Sequence, residues 1–437
     1  MFFIRYPIFY IRKHPAGDGI SINHFFFQIH AYPYAMVFRL LLCITLLYLS
    51  LPATCQTDFV SQPKLSWKYK TNKPIIASPT VSANLVFFGG LDSTMHAVEI
   101  QTGKLIWSFK TGGEIRSTVC LSGEEIFFYS GDAFVYCLNQ KTGKLKWKFQ
   151  TKGGLLGDRR HDFADYFQSS PVINGDRLFI GGGDERVYAL SVKDGQVLWT
   201  FKTHGIVHTT PALDATRIYI GSFDGYLYAI DQRDGRECWK FKTVGHAYFP
   251  DGEVQGSPVI SNGVVYFGAR DYNLYALDSS TGTTRWNKRF PYGWAMALAP
   301  LDSVIYAGTS DDRVLTALDA KTGTELWRSE VGFNVFGPCV YSASMAYVGT
   351  LAGKLHGIAL RDGVIKWSIA TDGHNSNRDR YFKPDDSFRD DITKVIKTPA
   401  DFIEMEYALG AIFSTPAIAR DKLLVTSTDG SLYCYAH

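Results

Sequence analysis

Gly-x-x-x-Trp occurs seven times in this chain, at Gly103/Trp107, Gly143/Trp147, Gly195/Trp199, Gly235/Trp239, Gly282/Trp286, Gly323/Trp327 and Gly363/Trp367. Each glycine follows Thr or Asp and is preceded by an alternating apolar run such as VYALSVKDG, residues 187–195. Each unit therefore reads as strand, turn, strand ending in Trp, with glycine supplying a positive φ at low cost. Two further short apolar runs precede the hairpin in most units, as SSPVING and RLFIGGGD do before 187–199, giving four strands per unit. Counted from Trp67, successive tryptophans lie 40, 40, 52, 40, 47, 41 and 40 residues apart. A four-stranded unit of this length, repeated, predicts β-propeller blades. One such sheet buries too little to be stable alone, and a ring lets each blade cover its neighbour's face.

The two ends of the repeat set the blade number. After the seventh motif, STPAIARDKLLVTSTDGSLYCYAH (414–437) supplies three strands and stops before its Trp, whereas LSWKYKT (65–71) holds Trp67 with no blade of its own before it. The prediction is an all-β, eight-bladed propeller over residues 64–437, built of four-stranded antiparallel blades and closed by the N-terminal strand joining the C-terminal blade. Closure also removes exposed sheet edges. Trp67, Trp107, Trp147, Trp199, Trp239, Trp286, Trp327 and Trp367 then have a structural task. A large indole on each outer strand packs across to the next blade and offers its N–H to a backbone carbonyl.

Ahead of the ring, Met36-Val-Phe-Arg39, the apolar LLLCITLLYLSLPA and then TCQ have the form of a secretory signal over 36–55, with an apolar run too short for a comfortable membrane span. Residues 1–35 match no targeting class and read as an upstream mis-start, with translation expected from Met36 rather than Met1; residues 56–63 read as a linker. Cleavage before Gln56 gives a secreted or periplasmic soluble protein, and lipid attachment at Cys55 is the alternative. From residue 56 onward the chain carries 41 basic and 41 acidic residues. That balance removes the usual electrostatic case for a nucleic-acid or anionic-membrane partner. Its five cysteines, Cys120, Cys137, Cys238, Cys339 and Cys434, are scattered without a Cys-x-x-Cys, which suits small strand residues better than a zinc site or disulfide framework.

The segments ALDSSTGTTRW (276–286) and ALDAKTGTELW (317–327) resemble the Ala-x-Asp-x-x-Thr-Gly-x-x-x-Trp signature of the pyrroloquinoline-quinone (PQQ) type of propeller repeat. That motif is shared by quinoprotein alcohol dehydrogenases and by non-catalytic propellers of the BamB type, which belong to outer-membrane protein assembly. The resemblance implies, for the dehydrogenases, quinone and calcium near the ring axis, often beside a vicinal disulfide, and longer loops around them. This chain has no Cys-Cys pair and is nearer a bare ring. The expectation is a non-catalytic, monomeric scaffold that binds envelope proteins, with neither cofactor nor metal. A PQQ- and calcium-dependent alcohol or sugar dehydrogenase is the alternative, and a carbohydrate-binding propeller a third reading.

Loops entering each first strand approach the axis of a propeller. Counting three residues before Pro79, Pro171, Pro211, Pro258 and Pro416 gives Ile76, Gln168, His208, Gln255 and Phe413. Val119 and Leu298 replace the proline in two blades and bring in Arg116 and Ala295, the latter beside Trp294; Pro338 brings in Val335 with Phe336 adjacent. The predicted channel-mouth site is thus Arg116, Gln168, His208, Gln255, Trp294, Phe336 and Phe413, with Trp294 the one tryptophan outside the repeat register and able to stack on a sugar, a side chain or a planar cofactor. Insertions near 152–167, 244–254 and 372–411 all follow a Trp strand, so they should emerge on this same face and mark it as the working one. Their acids could ligate calcium, but the interleaved Arg159, Arg160, Arg378, Arg380 and Arg389 read as solvated mixed-charge loops.

Overall fold

The computed structural model describes residues 58–153, 157–162 and 165–437; the signal-like segment and the two possible start sites lie outside them. Eight four-stranded antiparallel sheets follow one another along the chain. Blades 1 to 7 span 80–110, 120–150, 172–202, 212–242, 259–289, 295–330 and 340–370. Blade 8 combines Ala417–Ala419, Lys422–Thr426 and Ser431–Ala436 with Lys64–Lys70 as its outer strand. Among the described residues, no helix is long and apolar enough to cross a membrane.

The closing strand pairs Lys64 with Ala436, Trp67 with Cys434 and Lys70 with Ser431. Its pairing shifts register between Leu65 and Trp67, the same one-residue bulge that precedes the tryptophan in blade 1, where Ala97 faces Trp107 and Val98 faces Leu105. The N-terminal strand is thus a fourth strand like the others, not an addition. Apolar packing is continuous across the seam, with Leu424, Leu432 and Cys434 of blade 8 in one cluster with Ile75, Val86 and Phe88.

The recurrence of glycine with tryptophan has a direct cause. Seven of the eight repeat indoles lie over the turn glycine of the next blade, as Trp67 over Gly103, Trp107 over Gly143 and Trp199 over Gly235. At Gly235, with φ of 75°, an added Cβ would stand 2.7 Å from the Trp199 ring, so the position excludes side chains both sterically and by backbone conformation. The indole N–H then donates to a carbonyl of that blade, from Trp67 to Ile100 at 2.8 Å and from Trp199 to Gln232 at 3.0 Å. Blade 8 has no turn of this kind, because its outer strand comes from the other end of the chain, and Trp367 of blade 7 donates instead to the Phe59 carbonyl at 2.7 Å. Asp58 and Phe59, read as linker, therefore belong to the ring: the Asp58 carboxylate accepts from Ser342 and Ser344, and the Phe59 amide donates to the Tyr347 hydroxyl.

The second and third strands of each blade are buried on both faces, as in Val86–Gly89 and Met95–Val98, because blades cover them from either side. Apolar alternation is confined to the outer strands. All five cysteines among the described residues are unpaired.

The 372–411 insertion is not an extended loop. It folds as α1 (Asp372–Tyr381), a single turn α2 (Ile392–Val395) and α3 (Pro399–Ala408). Thr371 caps α1, while Thr398 and Asp401 form a reciprocal capping box on α3 with Pro399 in its first turn. Met405, Leu409, Tyr381 and Phe382 of this insertion bury with Ile76, Trp294, Met296, Phe336 and Phe413. The helices thereby cover the ring axis on the insertion face.

Candidate functional site

The first strands surround an axial cavity of about 650 Å³. Of the seven predicted mouth residues, Arg116, Gln168, His208, Gln255, Phe336 and Phe413 line it. Trp294 does not. It lies in the plug above, 9% exposed, with its ring centroid 5.2 Å from that of Phe249 and 6.3 Å from that of Tyr272. In blade 6 a bulge between Ala295 and Ala297 brings Met296 to the wall in place of the counted Ala295. In blade 7 Pro338 itself lines the cavity with Phe336, while Val335 packs between blades. The wall is consequently two-sided, with Arg116, Gln168, His208 and Gln255 from blades 2 to 5 facing Met296, Phe336, Phe413 and Ile76 from blades 6, 7, 8 and 1. Below the polar arc, hydroxyls tie first strands together: Ser170 Oγ accepts from the Thr118 amide at 2.8 Å, and Ser257 Oγ from the Thr210 amide at 2.9 Å.

The polar arc is matched by acids of the first insertion. His208 is fully buried, its Nδ1 2.8 Å from Asp165 Oδ2 and its Nε2 3.3 Å from Asp158 Oδ2. Burial drives its pKa down, but the two carboxylates outweigh that and push it up to about 10, so the ring is an imidazolium bonded through Nδ1 to Asp165 with the Asp158 carboxylate beside Nε2. Burial likewise opposes ionisation of Asp158, yet His208, the Gly183 amide and the Tyr129 hydroxyl hold its pKa below the ordinary carboxylate value. Arg116 donates to Glu114 and to the Tyr166 carbonyl, the latter at 3.0 Å, while its amide bonds Gln168 Oε1 at 2.9 Å. Gln168 Nε2 passes the network on to Asp158 at 3.0 Å.

Sequence reasoning missed Arg270, 1% exposed. Its guanidinium forks onto Asp162, bonds Gln255 Oε1 at 2.8 Å and lies 5.7 Å from the Trp294 ring centroid. A signal was present. In most blades an Asp four residues before a third-strand tyrosine accepts its hydroxyl, as Asp132 does from Tyr136 and Asp224 from Tyr228. The residue just before that Asp is small or apolar in blades 1 to 4 (Leu91, Gly131, Gly183, Phe223) and charged at Arg270 and Asp311.

Glu406 of α3, 1% exposed, accepts from the Tyr166 hydroxyl at 3.1 Å. Burial pushes its pKa up to about 8 from an ordinary 4.5, with the nearby Asp311 adding to the rise and the Tyr166 hydroxyl opposing it. The folded protein therefore keeps a proton that the unfolded chain has released, and Glu406 costs stability as pH rises between those values. Glu406→Gln is expected to raise the melting temperature by several degrees near the upper value and to change it little near the lower one, as read by thermal denaturation at both.

The family model described as Outer membrane protein assembly factor BamB matches overlapping stretches at 61–165, 96–242, 150–288 and 223–385. The chain belongs to this family of PQQ-like repeats. No curated protein matches this family member. Among solved structures, BamB from Moraxella catarrhalis aligns over 86% of this chain and 100% of its own at 16% identity, TM-score 0.62. The computationally designed Ika8 protein aligns over 86% and 100% at 15% identity, TM-score 0.64. A europium-containing methanol dehydrogenase aligns over 87% and 95% at 13% identity, TM-score 0.65. At these identities the likeness is one of fold.

The charges around the axis pair within the chain: Arg116 with Glu114, Arg270 with Asp162, and His208 with Asp158 and Asp165. Among the described residues no group of three or more His, Cys, Asp or Glu is placed to hold a metal ion.

Proposed function

We propose that this protein is a non-catalytic, extracytoplasmic scaffold that binds protein partners of the cell envelope through its insertion-bearing face. One observation carries the reading. On that face, beside the self-matched axis, three large apolar side chains project into solvent: Val244 at 77%, Tyr248 at 80% and Tyr292 at 72% exposed. Tyr248 is backed by aromatic contacts to His246, from His246 to Tyr272 and from Tyr272 to Trp294. Exposed tyrosines suit protein recognition, since each offers large contact area with few rotatable bonds and a polar tip. Membership of a BamB family supports the same reading.

The 372–411 insertion is not the recognition element on this account, because it is committed to covering the axis. Tyr248→Ser with Tyr292→Ser is expected to abolish capture of specific envelope partners by the purified protein. Melting behaviour should be retained, as both side chains are exposed. Leu326→Ser on the outer rim, also exposed at 54%, serves as control. Equal capture by all three forms would refute the face assignment. A quinone that binds the wild-type protein with calcium and supports dye reduction by alcohols would refute the non-catalytic reading.

A further inference from the structure

The even balance of acids and bases conceals a segregation by place. The outer strands, taken from three residues before each tryptophan to three after it, hold seventeen Lys and Arg against three Asp and Glu. Eight of the thirteen lysines among them fall on blades 8, 1 and 2. Their outer strands begin Lys64-Leu65-Ser66-Trp67, Lys104-Leu105-Ile106-Trp107 and Lys144-Leu145-Lys146-Trp147, and together carry eight lysines and no acid. Blade 6, at 324–330, carries two glutamates and one arginine in the same place.

Lys64, Lys104 and Lys144 are exposed, and the ion pairs of these strands engage Lys68, Lys70 and Lys146 instead. Next to them Leu65, Leu105, Ile106 and Leu145 are 51%, 40%, 46% and 44% exposed. These Lys-Leu pairs follow the glycine turns, at the strand end opposite the insertions, so they form one arc along the far edge of three adjacent blades. Protection of sheet edges from aggregation accounts for a lysine in most outer strands; it does not account for the Lys-Leu pair that opens these three alone.

We propose that this arc docks on an anionic lipid bilayer, with the lysines over headgroups and the leucines in the interfacial zone. The pairing of free cations with exposed aliphatic side chains matches a membrane surface, whereas a nucleic acid would leave the leucines in water. The chain also enters the ring at this edge, where Phe59 is fixed by Trp367 and Tyr347 just before Lys64. Docking here leaves the insertion face clear.

Sedimentation of the purified protein with vesicles of phosphatidylcholine alone, or with added phosphatidylglycerol, tests this. Binding should require phosphatidylglycerol and be released by high salt. The triple variant Lys64→Glu, Lys104→Glu, Lys144→Glu should lose about a hundred-fold or more in partitioning, each lysine near an anionic surface being worth about five-fold. Lys193→Glu, Lys321→Glu, Arg361→Glu, a set of exposed cations on other blades, should retain it. No preference for phosphatidylglycerol by the wild-type protein, equal losses in both triples, or binding of duplex DNA in place of vesicles would overturn the proposal. The wild-type vesicle comparison does so whether or not a variant folds.

Discussion

A chain cut back to begin at Asn72, and so lacking Lys64–Lys70, is expected not to form a cooperative ring. It loses the pairing of that strand with Ser431–Ala436 and the packing of Trp67 and Tyr69 in the seam cluster of blades 8 and 1. It also loses the bond from Trp67 to the Ile100 carbonyl. Loss of a fully buried tryptophan costs about 3–5 kcal/mol and the half-buried Trp67 somewhat less, still a sizeable share of the about 5–15 kcal/mol that holds an ordinary domain together. Here the strand goes with it, and two blade faces and a sheet edge are opened. Near-ultraviolet circular dichroism should show a broad melt or none, and size-exclusion chromatography should show self-association through the bared edge. Adding a peptide of residues 58–71 should restore a sharp transition. A truncated chain that melts as sharply and as high as the full one would mean that the ring does not depend on its seam.

Substitution of Gly235 by alanine should destabilise about as much as substitution of Trp199 by alanine, although it adds one carbon rather than removing most of an indole. Trp199, 8% exposed, fits the range of about 3–5 kcal/mol for loss of a large buried aromatic. At Gly235 the strain of a positive φ adds to overpacking against the Trp199 ring, each of the order of 1–3 kcal/mol. The double variant should cost less than the sum of the two, because without the indole the new methyl group has room. A double-mutant cycle in denaturant measures this coupling. Strict additivity would mean that glycine and indole act independently, contrary to the packing seen in every docking turn.

The ring itself was legible because its period, its glycines and its tryptophans all arise from one local contact repeated around the circle. The orphan strand at Trp67 was legible because the count of strands at the two ends is complementary. Pro-based counting found six of the lining residues for the same reason, and slipped where the local pattern changes: Pro338 occupies the position that serine or threonine holds in other blades, and the bulge at Ala295 to Ala297 offsets blade 6. Trp294 was the most conspicuous residue in the sequence yet faces the plug, since nothing local encodes which way a loop aromatic turns. The partners of Arg270, Glu406 and His208 were out of reach for a related reason. Arg270 meets Asp162 across 108 residues and Glu406 meets Tyr166 across 240, and only the closed ring brings them together. Net charge misled in its own way: an average over the chain says nothing of where each sign is placed.

Hydrogen exchange read by mass spectrometry on the native protein tests the closed ring most directly. Amides of residues 64–70 should be protected to the same degree as those of 431–436, and both should open together with blades 1 and 7 in denaturant. Rapid exchange across 64–70 while 431–436 and the other outer strands stay protected would contradict the seam and, with it, the single rigid disc.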